Sequence, residues 1–113
     1  MLSSDGDALI DLSKVKPPKA RKLLEKDIES RVCKYAERFG WRAMKFVSPN
    51  YRSVPDRIFF KHPGRVFFVE FKRPGEEPTP KQKAEIQRLK EEGFDVFVCD
   101  DIDFGKTIID LMG

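Results

Sequence analysis

Cysteine occurs twice in this chain and histidine once, and that scarcity removes two classes of site at the outset. Cys33, Cys99 and His62 cannot assemble a four-ligand zinc site. Two cysteines, one in a helix-like and one in a strand-like segment, read as buried thiols of a reducing compartment, not as a disulfide framework. No apolar stretch approaches membrane-spanning length and no secretory h-region is visible, so a soluble, intracellular protein without a membrane partner is expected. Internal repeats and low-complexity tracts are lacking as well. Charge of one sign is also in short supply: 22 Lys and Arg against 19 Asp and Glu leave a net +3. That excess alone says only that polyanions are not excluded as partners.

What the chain has in quantity is phenylalanine, ten among 113 residues, which concentrates the apolar content of one ordinary-sized domain into few positions. Residues 1–22 read as a basic, flexible arm and residues 23–113 as the folded domain. The arm has a small acidic start, a brief apolar patch at 8–12 and a basic stretch containing Pro17-Pro18. Lys14, Lys16, Lys19, Arg21, Lys22 and Lys26 face a single acid, Glu25, over that stretch. Such a segment either tracks phosphates or serves as a solvated linker.

Periodicity places the elements. Leu24, Ile28, Val32, Tyr35, Ala36 and Phe39 recur at helical spacing over residues 23–39, and Gly40 is placed to end that helix. Residues 41–47 alternate as a strand, and 48–54 form a polar loop. The runs 57–60 and 65–71 pair as a hairpin across Lys61-His62-Pro63-Gly64. A loop leads to a helix capped by Thr79, with Pro80 in its first turn, that runs to about residue 92 before Gly93. A strand at 94–99 and a short helix over 103–111 close the chain. The first three strands suit an antiparallel meander, and the last must return through a helical crossover.

The chemistry gathers at two strand ends. Within 65–71, residues two apart share a face, so Glu70 and Lys72 project with Val66 and Phe68 while Phe67, Val69 and Phe71 line the other side. A carboxylate and an ammonium at the end of so apolar a strand are costly to bury without partners. Asp56, at the mouth of the Ile58-Phe59-Phe60 run, can add a second carboxylate. Two carboxylates and a lysine make an oxygen-ligand site for Mg²⁺ with a cation placed to act on water. Taken singly, Lys72 would be read as a strand-end salt-bridge partner of either acid.

Pro55-Asp56 followed by Glu70-Phe71-Lys72 resembles the two halves of the PD-(D/E)XK nuclease motif. Gln82 at the start of the next helix, and the short segment lengths, narrow the resemblance to the virus-type replication-repair nuclease (VRR-NUC) family over roughly residues 24–100. The sequence departs a little just before the motif, where Ser53-Val54-Pro55 matches only in part the small residue the family often carries there. The resemblance implies an α/β fold with a restriction-endonuclease-like αβββαβ core, a mixed four-stranded sheet flanked by helices. It also implies a Mg²⁺-dependent endodeoxyribonuclease, with Mn²⁺ able to substitute. Asp56, Glu70 and the backbone carbonyl of Phe71 would hold the metal, and Lys72 would orient or deprotonate water or hold the phosphate.

An acid on the first helix completes the site in the family; Glu29 fills that position, with Glu25 as the substitute. The competing account of Glu29 is a surface pair with Lys26 or Arg31. Gln82 would contact the site, although Thr79-Pro80-Lys81-Gln82 also fits a capping box. Tyr51, Arg52, Arg57, Arg73 and Lys81, together with Lys61 and Arg65, surround the site in sequence and are expected to meet DNA. The implied substrate is branched DNA, a four-way junction cut by a homodimer in the cytoplasm of a bacterial or virus-infected host cell. A monomeric flap or single-strand nuclease, a non-catalytic nucleic-acid-binding module and a dimeric structural protein are the alternatives.

Overall fold

Seven elements follow one another in the order the periodicity predicts. The computed structural model describes residues 23–113, and the expectations for the arm 1–22 lie outside the described residues. Helix α1 (Glu25–Glu37) leads into β1 (Arg42–Lys45), β2 (Arg57–Lys61) and β3 (Arg65–Phe71). Helix α2 (Pro80–Glu91), β4 (Asp95–Cys99) and α3 (Ile102–Met112) complete the domain. The sheet runs β1-β2-β3-β4. The β1–β2 and β2–β3 pairs are antiparallel, and β4 joins β3 in parallel after the α2 crossover.

Alternation along β3 decides the layers. Phe67, Val69 and Phe71 enter a core with Phe59, Trp41 and Cys99, closed by Ile28, Val32 and Ala36 of α1 and Ile108 and Ile109 of α3. Phe68 faces the other way and meets Ile86 and Leu89 of α2 with Val96. Phe59 and Phe67, directly opposed across β2 and β3, stack with ring centroids 4.6 Å apart, and Trp41 sets its edge against Phe67 at 4.8 Å. The phenylalanines thus form the spine of one face. Both cysteines are free and buried, and burial pushes the Cys33 thiol up to about 11, so these side chains are packing groups.

Local chemistry fixes the helix ends. Asp27 accepts the Leu24 N–H at 3.1 Å to open α1. Gly40, at φ +89°, turns the chain after it so that the Trp41 N–H reaches back to the Ala36 carbonyl at 3.2 Å. The Tyr35 hydroxyl donates to Asp110 at 2.7 Å and ties α1 to α3.

Where these helices cross, Gly105 is packed so closely that a Cβ there would lie 2.3 Å from Val32 Cγ2 and 3.1 Å from Cys99 Sγ. Overpacking of this kind costs roughly 1–3 kcal/mol, against about 1 kcal/mol regained by alanine's better helix propensity. Gly105→Ala is therefore expected to melt several degrees below the wild type. An unchanged melting temperature would mean that α1 and α3 can part without loss.

Candidate active site

The β2–β3 register carries Asp56 and Glu70 to one end of the sheet. Beyond the Arg57↔Val69 pair, the next narrow-pair position would set Pro55 opposite Phe71. In an antiparallel pair such residues exchange both their N–H and C=O bonds, but proline has no N–H to give. The ladder therefore offers no donor to the Phe71 carbonyl from that position. The Phe71 N–H is taken instead by the Asp56 carboxylate at 2.8 Å, while the Asp56 carbonyl accepts from Phe46 at 2.9 Å and keeps β1 in step. The fully buried Pro55 thus leaves a strand carbonyl beside a carboxylate. That is a physical reason for a proline immediately before the aspartate.

Glu70 is only 2% exposed. Its Oε2 receives Lys72 Nζ at 3.3 Å and Gln82 Nε2 at 3.0 Å. Its Oε1 is buried and has no hydrogen-bond partner, a costly state for a carboxylate oxygen. Burial, reinforced by the neighbouring Asp56 charge and opposed by Lys72, pushes the Glu70 carboxyl up to about 7. Burial likewise raises Asp56, against the lowering effect of the Phe71 N–H. Glu25 is raised too, by burial first and by Asp56 second. Asp56 raises both Glu70 and Glu25, and is itself raised by Glu29, so several acids around Lys72 form a locus of negative potential.

That donor chemistry fits a hard divalent cation. Among the described residues, no three His, Cys, Asp or Glu side chains converge as a metal cage of their own. Donors would be the unpartnered Glu70 oxygen, the Asp56 carboxylate, the Phe71 carbonyl and water, the mixed oxygen set that Mg²⁺ accepts.

Gln82 fills both roles that the sequence offered as alternatives. Its amide oxygen accepts the Thr79 N–H at 2.9 Å, and its own N–H is received by Thr79 Oγ1 at 3.2 Å, closing the capping box. The amide nitrogen, left over, reaches Glu70. One side chain thereby ties the start of α2 to the end of β3. Gln82→Glu keeps the acceptor for the cap but replaces the donor to Glu70 by a second carboxylate oxygen. Nuclease activity is expected to fall at least tenfold, with the helix content measured by circular dichroism unchanged. Melting of α2 with full turnover would reduce Gln82 to a cap.

The remaining candidates divide by location. Glu29 pairs with Arg57, Nε to Oε2 at 2.5 Å, and not with Lys26 or Arg31. The same guanidinium donates to the Ala43 carbonyl at 3.3 Å, so Arg57 is directed into the junction of α1, β1 and β2. Arg73 pairs with Glu76 at 3.4 Å in the loop after Lys72, which Asp100 holds by accepting the Gly75 N–H at 2.8 Å. Lys61 and Arg65 stand at the hairpin, the far end of both strands, over the Trp41 ring. Tyr51, Arg52 and Lys81 are brought together along one cleft, and Arg88 joins them there. Arg88 did not stand out in the sequence, although Lys81, Glu85 and Arg88 recur at the i, i+4, i+7 spacing of one helix face.

The chain is similar to known proteins in sequence and in fold. The VRR-NUC domain family model matches residues 19–101. The chain is 41% identical over 88 residues to "Putative nuclease p44" of Acyrthosiphon pisum secondary endosymbiont phage 1, a match covering 78% of this chain and 95% of that relative. A solved VRR-NUC domain structure shares the fold with a TM-score of 0.71, at 24% identity, over 76% of this chain and 94% of that one.

Proposed function

The chain belongs to the VRR-NUC domain family, a nuclease family, and from that premise we propose a Mg²⁺-dependent endonuclease of branched DNA. The observation that carries the reading is the buried, unpartnered Oε1 of Glu70 beside Asp56, with Lys72 and Gln82 both gathered on the other oxygen. A binding module would gain nothing from burying acids where phosphate must approach.

Asp56, Glu70 and the Phe71 carbonyl would hold the cation, which supplies charge neutralisation at the phosphate and activation of water. Lys72, held at the strand end by its backbone bond to Cys99 at 2.9 Å, orients the attacking water and moves its proton. Gln82 fixes the rotamer of Glu70 by donating to Oε2, which leaves Oε1 for the site. From α1, the Glu25 charge adds to the raising of Glu70 and is itself raised by Asp56. Glu29, engaged with Arg57, sets the position of β2 next to Asp56. Two acids one helical turn apart would thus have different duties.

The substrate we propose is a four-way junction, cut by a homodimer whose two-fold symmetry matches that of the junction. The test incubates purified protein with labelled junction, flap, single-stranded and duplex DNA, each in Mg²⁺, Mn²⁺ or EDTA. Paired incisions in the junction with either metal, and none in EDTA, are expected. Undiminished cutting in the chelator would sink the metal mechanism. Sedimentation as a monomer throughout the micromolar range, with flaps or single strands preferred, would replace the junction reading by a monomeric nuclease.

A further inference from the structure

Between β1 and β2 the chain leaves the sheet, and the loop of residues 48–54 stands against the first turns of α2. A cleft of about 480 Å³ separates them, with Tyr51 and Arg52 on the loop side and Lys81, Glu85 and Arg88 on the helix side. That volume lies within the range of clefts that hold a small ligand, roughly 300–1,000 Å³. Its position matters more than its size. The loop wall runs directly into Pro55-Asp56, and the helix wall begins beside Gln82, whose amide touches Glu70. A polynucleotide with its reacting phosphate at the two carboxylates has this cleft next to it.

The lining is specific in chemistry. Arg52 and Lys81 make no ion pair among the described residues, and Arg88 has only Glu92 at 4.0 Å, with both side chains exposed. Three cations from two elements therefore stand ready for phosphates. Tyr51 is 62% exposed, and its ring meets no other ring or cation among the described residues. A lone exposed tyrosine is ordinary surface. One bracketed by unpaired cations at the edge of a nuclease site has the form of a stacking platform. Glu85 completes the wall; it repels phosphate but accepts from an exocyclic amine, which favours a base on that side. A base paired inside a continuous duplex cannot lay its face on Tyr51, so the occupant must be unpaired.

We infer that this cleft is a subsite for an unpaired nucleotide adjoining the cleaved phosphate, with its base on Tyr51 and its backbone along Arg52, Lys81 and Arg88. The inference rests on the nuclease reading and narrows its substrate. DNA that can present an unpaired nucleotide at the cut is selected, as a four-way junction does when the base pair at its branch point opens, and continuous duplex is not.

The test measures affinity in Ca²⁺ for one DNA sequence in three forms: continuous duplex, the same duplex with one unpaired nucleotide at a branch, and that branch with an abasic residue in the unpaired position. Wild-type protein should prefer the intact unpaired base over the abasic form by roughly ten- to a hundredfold, the usual worth of one stacked base. Tyr51→Ala should erase that preference. Tyr51→Phe should retain it. Arg88→Gln should weaken the two branched forms and lower the salt dependence of their binding by about one counterion. Wild-type indifference to the abasic residue, or a Tyr51→Ala variant that still discriminates, would overturn the subsite while leaving the nuclease intact. Failure to bind DNA in any of the three forms would remove the nuclease reading itself.

Discussion

Lys72→Ala is expected to slow DNA cleavage by roughly two or more orders of magnitude, with affinity for the same DNA in Ca²⁺ nearly unchanged. The residue is 9% exposed and its Nζ sits 3.3 Å from Glu70, so two effects follow from its loss. The group proposed to orient water and exchange a proton with it goes, and so does the positive charge that lowers the Glu70 carboxyl. The second effect leaves Glu70 protonated to higher pH and a poorer ligand, so the variant's residual activity should require more alkaline conditions and more Mg²⁺. Lys72→Arg separates the two. Arginine keeps the positive charge but cannot release a proton near neutral pH; it should restore the wild-type metal requirement without restoring the rate. A Lys72→Ala enzyme that cuts at close to the wild-type rate would reduce Lys72 to a strand-end salt-bridge partner.

These expectations rest on a part of the molecule that was legible in the sequence. The two-residue period of a strand assigned Glu70 and Lys72 to the face of Val66 and Phe68, and the second core, with α2 beneath Phe68, lies on that face. Thr79 and Pro80 fixed the start of α2, and Gly40 fixed the end of α1. Each of these signals is local, carried within a few residues. What could not be read depends on partners distant in the chain. Glu25 and Glu29 are one helical turn apart, and the pattern favours Glu29, which borders the apolar stripe, with Glu25 as the substitute. Only the approach of Arg57, from a strand beyond the next loop, engages Glu29. Arg57 itself, beside the aspartate in sequence, offers its guanidinium to α1 and to a strand carbonyl. Lys61 and Arg65 lie near the motif in number, yet the strands carry them to the opposite end. The cleft at Tyr51 requires knowing that the loop folds against α2. Gln82 is a different case: both readings are legible in the sequence, and a primary amide's separate donor and acceptor let one side chain satisfy both.

Glu70→Gln should abolish detectable cleavage, a loss on the order of a thousandfold or more for a first ligand and its charge, while making the metal-free protein more stable at neutral pH. The sign follows from the carboxyl's position in the fold. In the unfolded chain a glutamate ionises near its usual value of about 4.3, whereas in the native site burial and Asp56 hold Glu70 at about 7. Below the unfolded value both states carry the proton and nothing is lost. As pH rises through the window between the two values, the unfolded chain releases its proton while the native site retains it, so native stability falls. Above about 7 the native carboxylate is ionised in its buried position and the loss is complete, roughly 4 kcal/mol. Glutamine keeps the acceptor for Gln82 and Lys72 but carries no charge to bury. The variant should therefore match the wild type near pH 4 and melt higher near pH 8, with the gap opening between those limits. Added Mg²⁺ should close it from the other side, stabilising the wild type and not the variant, because a cation that binds only the native carboxylate adds its binding energy to folding. A Glu70→Gln protein less stable than the wild type throughout that range would mean that the ion pair with Lys72 outweighs the burial of the charge. Retained cleavage would remove Glu70 from the chemistry.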